Sequence, residues 1–188
     1  MTFDRKALIR LSAIVLVGGL VQLTAVSQVT IFGVPADLSP LLAASVGLLA
    51  GSLVGAVFGF SIGLFMDIVL LQTLGISSLV LTGAGYAAGR LRELRDPSHG
   101  LLPLAVGAAA TALTALAFSL MQFLIGVQAP VSLMLVREVL LVVALNAVLA
   151  LPLHAMVRRV LEPYLPDDPR RRRRRAYTTG GLSPISRA

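Results

Sequence analysis

The sequence contains no cysteine and no tryptophan, and its only histidines are His99 and His154. Without cysteine, a disulfide framework, a thiol nucleophile and a cysteine metal site are all excluded. Neither histidine has other metal-ligating residues at the spacing that a metal site needs. No phosphate-binding loop or acid/base dyad is found either, so we predict no cofactor and no enzymatic activity.

Charge is also scarce. Hydrophobic residues make up 56% of the 188 residues and charged residues only 13%. Many of the charges lie in three clusters, which are the first ten residues, residues 90–96 and everything after Arg158. Between them, apolar runs of about 20 residues recur, which is the length that crosses a ~30 Å hydrocarbon core. The chain is therefore predicted to be an all-α, polytopic membrane protein.

Six transmembrane helices are predicted. The apolar run that begins at Leu11 is too long for a typical signal-peptide core, so we interpret it as a retained first helix. Residues 38–89 would form a single helix of roughly 78 Å, so this stretch must fold back on itself. Glycine-containing breaks allow this near residues 51–52 and 73–75. The predicted helices lie near residues 11–29, 38–51, 54–72, 75–91, 101–125 and 131–157.

The basic clusters predict the orientation of the chain. Basic residues collect on the cytoplasmic side of a membrane. With six spans, all three clusters lie on that side, whereas three or five spans would leave one cluster on the other side. Both termini are therefore predicted to be cytoplasmic.

The end of the chain differs from the rest in composition. Residues 1–165 are predicted to form the six-helix transmembrane domain, and residues 166–188 a disordered basic cytoplasmic tail with too few apolar residues for a core. We interpret the arginines of the tail as a topology anchor that also contacts membrane lipids. No aromatic residues are interleaved with them, so nucleic acid is not predicted as a partner. These arginines are Arg170, Arg171, Arg172, Arg173, Arg174 and Arg175.

Glycine recurs at every fourth residue from Gly47 to Gly63, and the next step of four reaches Asp67. In lipid, small residues at this spacing let helix backbones approach closely. A period of four drifts by ~40° per step in an α-helix, so the repeat must serve two helices and the turn between them. We interpret the repeat as helix packing, and a ligand passage lined by bare backbone is the alternative. The predicted packing positions are Gly51, Gly55, Gly59, Gly63, Gly75, Gly85, Tyr86 and Gly89.

Asp67 lies inside the predicted third span, and Arg137 and Glu138 lie at a similar depth in the predicted sixth span. A charge buried in a membrane normally faces the bundle interior and pairs. We therefore predict that Asp67 and Arg137 face the interior within pairing distance, with Glu138 near them. The cluster forms either a polar clasp between two helices or the floor of an outward-facing cavity. The rim of that cavity would include Asp37, Gln28 and Gln72.

Two further residues interrupt the apolar sixth span. Asn146 is predicted to form an interhelical hydrogen bond, and Pro152 to kink the helix. His154 follows them and is predicted to lie at the inner membrane interface.

Three segments between Val34 and Leu91 carry a likeness to a known family. They are Pro35-Ala36-Asp37-Leu38, the glycine repeat from Gly51 to Asp67, and Leu74-Gly75 followed by Gly85-Tyr86-Ala-Ala-Gly89. In this order and spacing the chain resembles the rod shape-determining protein MreD family of bacteria. Ala36 departs from the family pattern, in which proline and aspartate usually adjoin, and the arginine tail is not a family feature.

The resemblance implies a six-helix fold like that of the S-components of energy-coupling-factor (ECF) vitamin transporters. It also implies a place in the bacterial plasma membrane, within the elongasome, the rod complex for lateral peptidoglycan synthesis and cell shape. MreC is the implied direct partner, and MreB, RodA and its transpeptidase are implied neighbours in the same complex. No enzymatic activity is implied.

Two functional hypotheses follow. The first is a scaffold that binds MreC through lipid-facing surfaces of small residues. The second is a small-molecule-binding, S-component-like transporter subunit. A vitamin pocket would need several aromatic residues, yet tryptophan is absent and Tyr164 and Tyr177 lie in or near the tail, which favours the scaffold. An intramembrane enzyme ranks last because the chain lacks a reactive set of side chains.

Overall fold

The part of the chain that the structure describes is a bundle of six α-helices, which is the number predicted. The computed structural model describes residues 5–26, 30–31, 34–35, 37–71, 73–94, 102–126 and 133–164. Several sequence predictions lie outside these residues, namely those for Gln28, Gln72 and the tail 166–188. The helices are α1 (Arg5–Val21), α2 (Ser39–Ala50), α3 (Ser52–Val69), α4 (Ile76–Leu94), α5 (Leu102–Leu124) and α6 (Leu133–Leu161).

Short elements extend or connect these helices. A π-helical turn, Gln22–Val26, continues α1, and a 3₁₀ turn, Glu162–Tyr164, follows α6. Between α1 and α2, the two-residue strands β1 (Thr30–Ile31) and β2 (Val34–Pro35) pair antiparallel. The sequence pattern did not predict this pair, because two residues are too few to produce a recognisable alternation.

The centre of the bundle is α2. Eleven of its twelve residues are buried, and α3, α4, α5 and α6 all pack against it. A helix that is apolar on every side is stable only when it is surrounded. At ~1.5 Å per residue α2 is about 18 Å long, shorter than the hydrocarbon core of a bilayer. It therefore forms a core for the other helices rather than a lipid-facing wall.

Glycines bring the backbones of α3 and α4 into direct contact. A Cβ atom added to Gly59 would overlap the Leu81 carbonyl group, and one added to Gly55 would overlap the Gly85 carbonyl oxygen. Gly63 lies equally close to the backbone of Ser78. The predicted packing role is confirmed for Gly55, Gly59 and Gly63 on α3 and for Gly85 and Gly89 on α4, all of which are buried.

Three of the predicted packing positions have other roles. Gly51 and Gly75 adopt left-handed backbone conformations, with φ of +96° and +101°, which glycine reaches without steric cost. Both therefore serve the turns between helices. Tyr86 is 49% exposed and faces away from the bundle, so the packing prediction for this residue is wrong.

Among the described residues, three helical segments are long and apolar enough to cross a membrane: Ser52–Val69, Leu102–Met121 and Val139–Leu161. Two shorter apolar helices, Ile9–Thr24 and Ser39–Ala50, accompany them. The last turns of α4 carry charged residues, which lower its hydropathy. The six helices are thus confirmed, and their six membrane crossings stay a prediction.

Candidate functional site: the buried aspartate and the start of the central helix

Asp67 lies in the last turns of α3 with its side chain only 1% exposed, so the predicted interior position is confirmed. Its Oδ2 atom accepts a hydrogen bond of 2.8 Å from the backbone N–H of Gly75, directly before α4. The carboxylate therefore caps the start of α4, where the helix dipole favours negative charge. Its other oxygen, Oδ1, is buried without a hydrogen-bond partner among the described residues.

The predicted pair between Asp67 and Arg137 is not formed. The side chain of Arg137 is exposed, and the residue precedes the apolar segment Val139–Leu161. Because α6 is 29 residues long, it exceeds the bilayer thickness, and its first residues lie beyond the apolar segment. An ion pair of the described structure joins Arg90 to Glu93 instead, at 3.0 Å. The side chain of Glu138 lies outside the described structure.

The start of α2 is held by side chains from three parts of the chain. The Oδ1 atom of Asp37 accepts a hydrogen bond of 2.9 Å from the backbone N–H of Ser39. Gln22 accepts a bond of 2.9 Å from the backbone N–H of Leu38 through Oε1. From α6, Asn146 donates through Nδ2 to the Asp37 carbonyl oxygen at 2.6 Å. Asp37 thus belongs to the cap of α2, and Asp67 to the cap of α4.

Asn146 links three helices. It is fully buried, and its Nδ2 atom also donates to the Thr111 hydroxyl of α5 at 3.1 Å. The Thr111 hydroxyl in turn donates to the Gly107 carbonyl oxygen at 2.9 Å. The predicted interhelical hydrogen bond of Asn146 is therefore confirmed. Two oxygen atoms near this junction, Asn146 Oδ1 and Thr114 Oγ1, are buried and have no partner in the described ranges.

Arginines cap helix ends at the other end of the bundle. Arg10 of α1 donates through Nη1 to the Val160 carbonyl oxygen of α6 at 2.8 Å. Arg92 of α4 donates to the Leu49 carbonyl oxygen of α2. Positive charge is favourable at a helix C-terminus, where the last carbonyl groups lack helical partners. The sequence indicated these arginines only as topology markers, because their carbonyl partners leave no trace in the sequence.

Glu93 holds the turn between α2 and α3. It accepts hydrogen bonds from the backbone N–H of Ser52 at 3.0 Å and from its hydroxyl at 2.6 Å, and it pairs with Arg90 at 3.0 Å. The hydrogen bonds from Ser52, followed by the bond from Arg90, lower the pKa of Glu93 to about 2. No sequence motif indicated this contact, since 41 residues separate Glu93 from Ser52.

These polar groups act mainly by binding backbone. Within the described residues, no three histidine, aspartate or glutamate side chains come together as a metal site. Asp37, Asp67 and Glu93 each accept from an N–H at the start of a helix. The arrangement fixes helix ends and leaves a few buried oxygen atoms that could accept further hydrogen bonds.

In the described residues six α-helices pack together, and three of them hold segments long and apolar enough to cross a bilayer, which is the pattern of a helical membrane protein. Residues 4–162 match the family model of the rod shape-determining protein MreD, and the chain belongs to this family. Comparisons with curated proteins and with solved structures found no match. Membership confirms the resemblance carried by the segments between Val34 and Leu91, and it assigns the protein a role in determining cell shape.

Proposed function

We propose that this protein is a membrane scaffold of the elongasome that binds MreC directly and supports lateral peptidoglycan synthesis. The observation that carries the proposal is the family match over residues 4–162. MreB, RodA and its transpeptidase would belong to the same complex. The described polar side chains are engaged largely in capping helices, which suits a protein that holds a shape.

The scaffold would cross the bacterial plasma membrane six times, with both termini in the cytoplasm and a fold like that of an ECF S-component. The contact between Arg10 and Val160 supports this arrangement, because it joins the start of α1 to the end of α6. Arg92 lies near the end of α2 in the same way. The basic residues of these helix ends would then face the cytoplasm together.

The surface of α4 suits a partner helix. Gly83 and Ala87 are exposed one turn apart, beside Tyr86. A Cβ atom added to Gly83 would meet nothing within 4 Å, so the chain itself does not use this glycine for packing. Exposed small residues at this spacing allow the backbone of another transmembrane helix to approach closely. We place the contact with the membrane helix of MreC on this face.

Co-purification with MreC from detergent tests the proposal. Ala87→Leu would fill the small surface of α4, and Ala109→Leu is the matched control, since Ala109 is an exposed alanine on α5. We expect Ala87→Leu to retain about tenfold less MreC, as a loss of ~1.4 kcal/mol would produce, and Ala109→Leu to bind normally. Failure of the wild-type chain to retain MreC would refute the scaffold itself. If Ala87→Leu and Ala109→Leu retained MreC equally well, only the placement of the MreC contact on α4 would be refuted.

Solute binding is a second candidate function, favoured by the unpartnered oxygens of Asn146 and Thr114. Both lie near the middle of their helices, level with the start of α2. A ligand with hydroxyl or amine donors would satisfy them. Native mass spectrometry of the protein released from membranes would reveal such a ligand, and Thr114→Val, which keeps the shape of the side chain, should weaken its retention.

A further inference from the structure

Asn146 carries an unpartnered oxygen atom to the start of α2. Its Nδ2 atom donates to the Asp37 carbonyl oxygen at 2.6 Å and to the Thr111 hydroxyl of α5 at 3.1 Å. The side chain is fully buried, and its Oδ1 atom has no hydrogen-bond partner in the described ranges. Because Oδ1 and Nδ2 share one amide carbon, this free acceptor lies beside the backbone of Asp37.

Thr114 of α5 faces the space just beyond the start of α2. Gly107 shares its side of α5, because the seven residues between them turn a helix to within ~20° of two full turns. A Cβ atom added to Gly107 would lie 2.9 Å from the side chains of Leu41 on α2 and Ala150 on α6. Thr114 lies ~10 Å further along α5, whereas α2 begins only two residues before Leu41, at Ser39. The Oγ1 atom of Thr114, which is buried without a partner in the described ranges, is therefore directed over the end of α2.

Asp37 adds a carboxylate to these two oxygen atoms. It is partly buried and accepts from the Ser39 N–H at 2.9 Å. The N-terminal end of α2 offsets about half an elementary charge. No ion pair to Asp37 is found among the described residues. Arg137 lies nine residues before Asn146, or two and a half turns of α6, and so points to the opposite side of that helix. Part of the negative charge is thus left without a compensating cation in the described structure.

The start of α2 can be approached from the end of the bundle that holds the α3–α4 turn. The described side chains of α5 after Thr111, and those of α6 before Asn146, are all exposed or partly exposed, and most are apolar. In the other halves of these helices, Val106, Ala110 and Ala150 are buried. The difference arises because α2 does not extend between the first pair of helix halves. Apolar walls therefore lead to the three oxygen-bearing side chains.

We propose that the start of α2 binds the ammonium group of a small organic amine, whose apolar part lies between these walls. A primary ammonium group has three N–H donors and no acceptor. It would donate to the Asp37 carboxylate, Asn146 Oδ1 and Thr114 Oγ1, and it supplies the positive charge that a water molecule or a neutral solute lacks. The inference rests on the solute binding proposed above as the second candidate function and names its ligand class. It is independent of MreC binding.

Thermal unfolding of the full chain in detergent at pH 7 tests the site with a matched pair of probes. n-Butylamine is protonated at this pH, as a lysine side chain is, and 1-butanol has the same carbon chain with a neutral hydroxyl group. We expect millimolar n-butylamine to raise the unfolding temperature by about 2–4 °C, as occupancy of one weak site would give, and 1-butanol to leave it unchanged. Sodium chloride at the same concentration controls for ionic strength.

Three substitutions locate the effect. Asp37→Asn keeps an acceptor for the Ser39 N–H but removes the charge, so the shift produced by n-butylamine should disappear. Thr114→Val keeps the shape of the side chain and should reduce the shift, because one of three hydrogen bonds is lost. Glu93→Gln removes a carboxylate at the opposite end of the bundle and should keep the full shift. Each shift is measured against the same variant without probe, so differences in stability between the variants cancel.

Several results would overturn the proposal. No shift from n-butylamine in the wild type would exclude the ammonium site. Equal shifts from n-butylamine and 1-butanol would refute the charge requirement and still support solute binding. An equal shift from sodium chloride would assign the site to an inorganic cation, and a full shift in Asp37→Asn would place the amine elsewhere. Solute binding itself is decided separately, by whether native mass spectrometry finds any ligand on the protein released from membranes.

Discussion

At the scale of the residue, Asp67 shows how a carboxylate can be accommodated in an apolar bundle without an ion pair. Its Oδ2 atom binds the backbone N–H of Gly75, and the positive end of α4 stabilises its charge. The side-chain amide of Asn146 likewise donates a hydrogen bond to the Asp37 carbonyl oxygen at the start of α2. In both cases a polar side chain from one helix supplies a hydrogen bond that the backbone of another segment needs.

The cap formed by Asp67 can be tested by two substitutions. Asp67→Ala removes the acceptor that binds the Gly75 N–H at the start of α4, so we expect the loss of a helix cap, about 0.5–2 kcal/mol in stability. Asp67→Asn keeps an acceptor oxygen and should cost less. Thermal unfolding in detergent, followed by gel filtration, measures both. Equal losses would mean that the negative charge matters rather than the hydrogen bond.

Glu93 makes stability depend on pH. Its pKa is lowered from the ordinary 4.5 to about 2 in the folded protein, so its contribution is present above pH 4.5 and is lost as the pH falls toward 2. We expect the unfolding temperature to fall over that range. Glu93→Gln should lower the unfolding temperature at pH 7 and flatten its dependence below pH 4.5. An unchanged pH dependence in this variant would assign the effect to other groups.

At the scale of the element, the pairing of α3 with α4 depends on glycines that permit contact between backbones. The repeat from Gly51 to Gly63 predicted this packing because the spacing of small residues is local information. The acceptor role of Asp67 could not be predicted, since its partner is a backbone N–H that carries no side-chain signal. The prediction that Arg137 faces the bundle interior and pairs with Asp67 was wrong. When a helix is longer than the bilayer is thick, the sequence does not say which part of the helix lies inside the bilayer.

Two glycines of this hairpin should respond oppositely to the same change. Gly59→Ala would force a Cβ atom into the backbone of Leu81, and we expect a loss of about 1–3 kcal/mol. Gly83→Ala adds its Cβ atom to open space and should stabilise the helix by about 0.5–1 kcal/mol. The denaturant concentration at half-unfolding ranks the two variants. Equal effects would contradict the packing described for Gly59.

At the scale of the whole molecule, polar contacts join helices that are far apart in sequence. Arg10 and Val160 are 150 residues apart, and Asp37 and Asn146 are 109 apart. The number of helices and the buried position of Asp67 follow from apolar runs and from the cost of burying charge in lipid. The long-range contacts depend on how the helices are arranged in space, which a pattern along one chain does not encode.

The absence of cysteine allows a direct test of the proposed topology. Thr73 lies in the exposed turn between α3 and α4, and Leu94 is exposed at the far end of α4. In intact bacterial cells, a membrane-impermeant maleimide should label Thr73→Cys but not Leu94→Cys. Permeabilised cells should show labelling of both. Labelling of Leu94→Cys in intact cells would reverse the proposed orientation.

The shortness of α2 has a consequence for the order in which the protein is made. Twelve residues are too few to be held by lipid alone, and the start of the helix depends on Asn146, which is synthesised more than a hundred residues later. A nascent chain that has inserted α2 and α3 into the membrane therefore still lacks the hydrogen bond from Asn146 at the start of α2. Completion of this bundle must wait for its last helix, and until then the chain is exposed to membrane quality control.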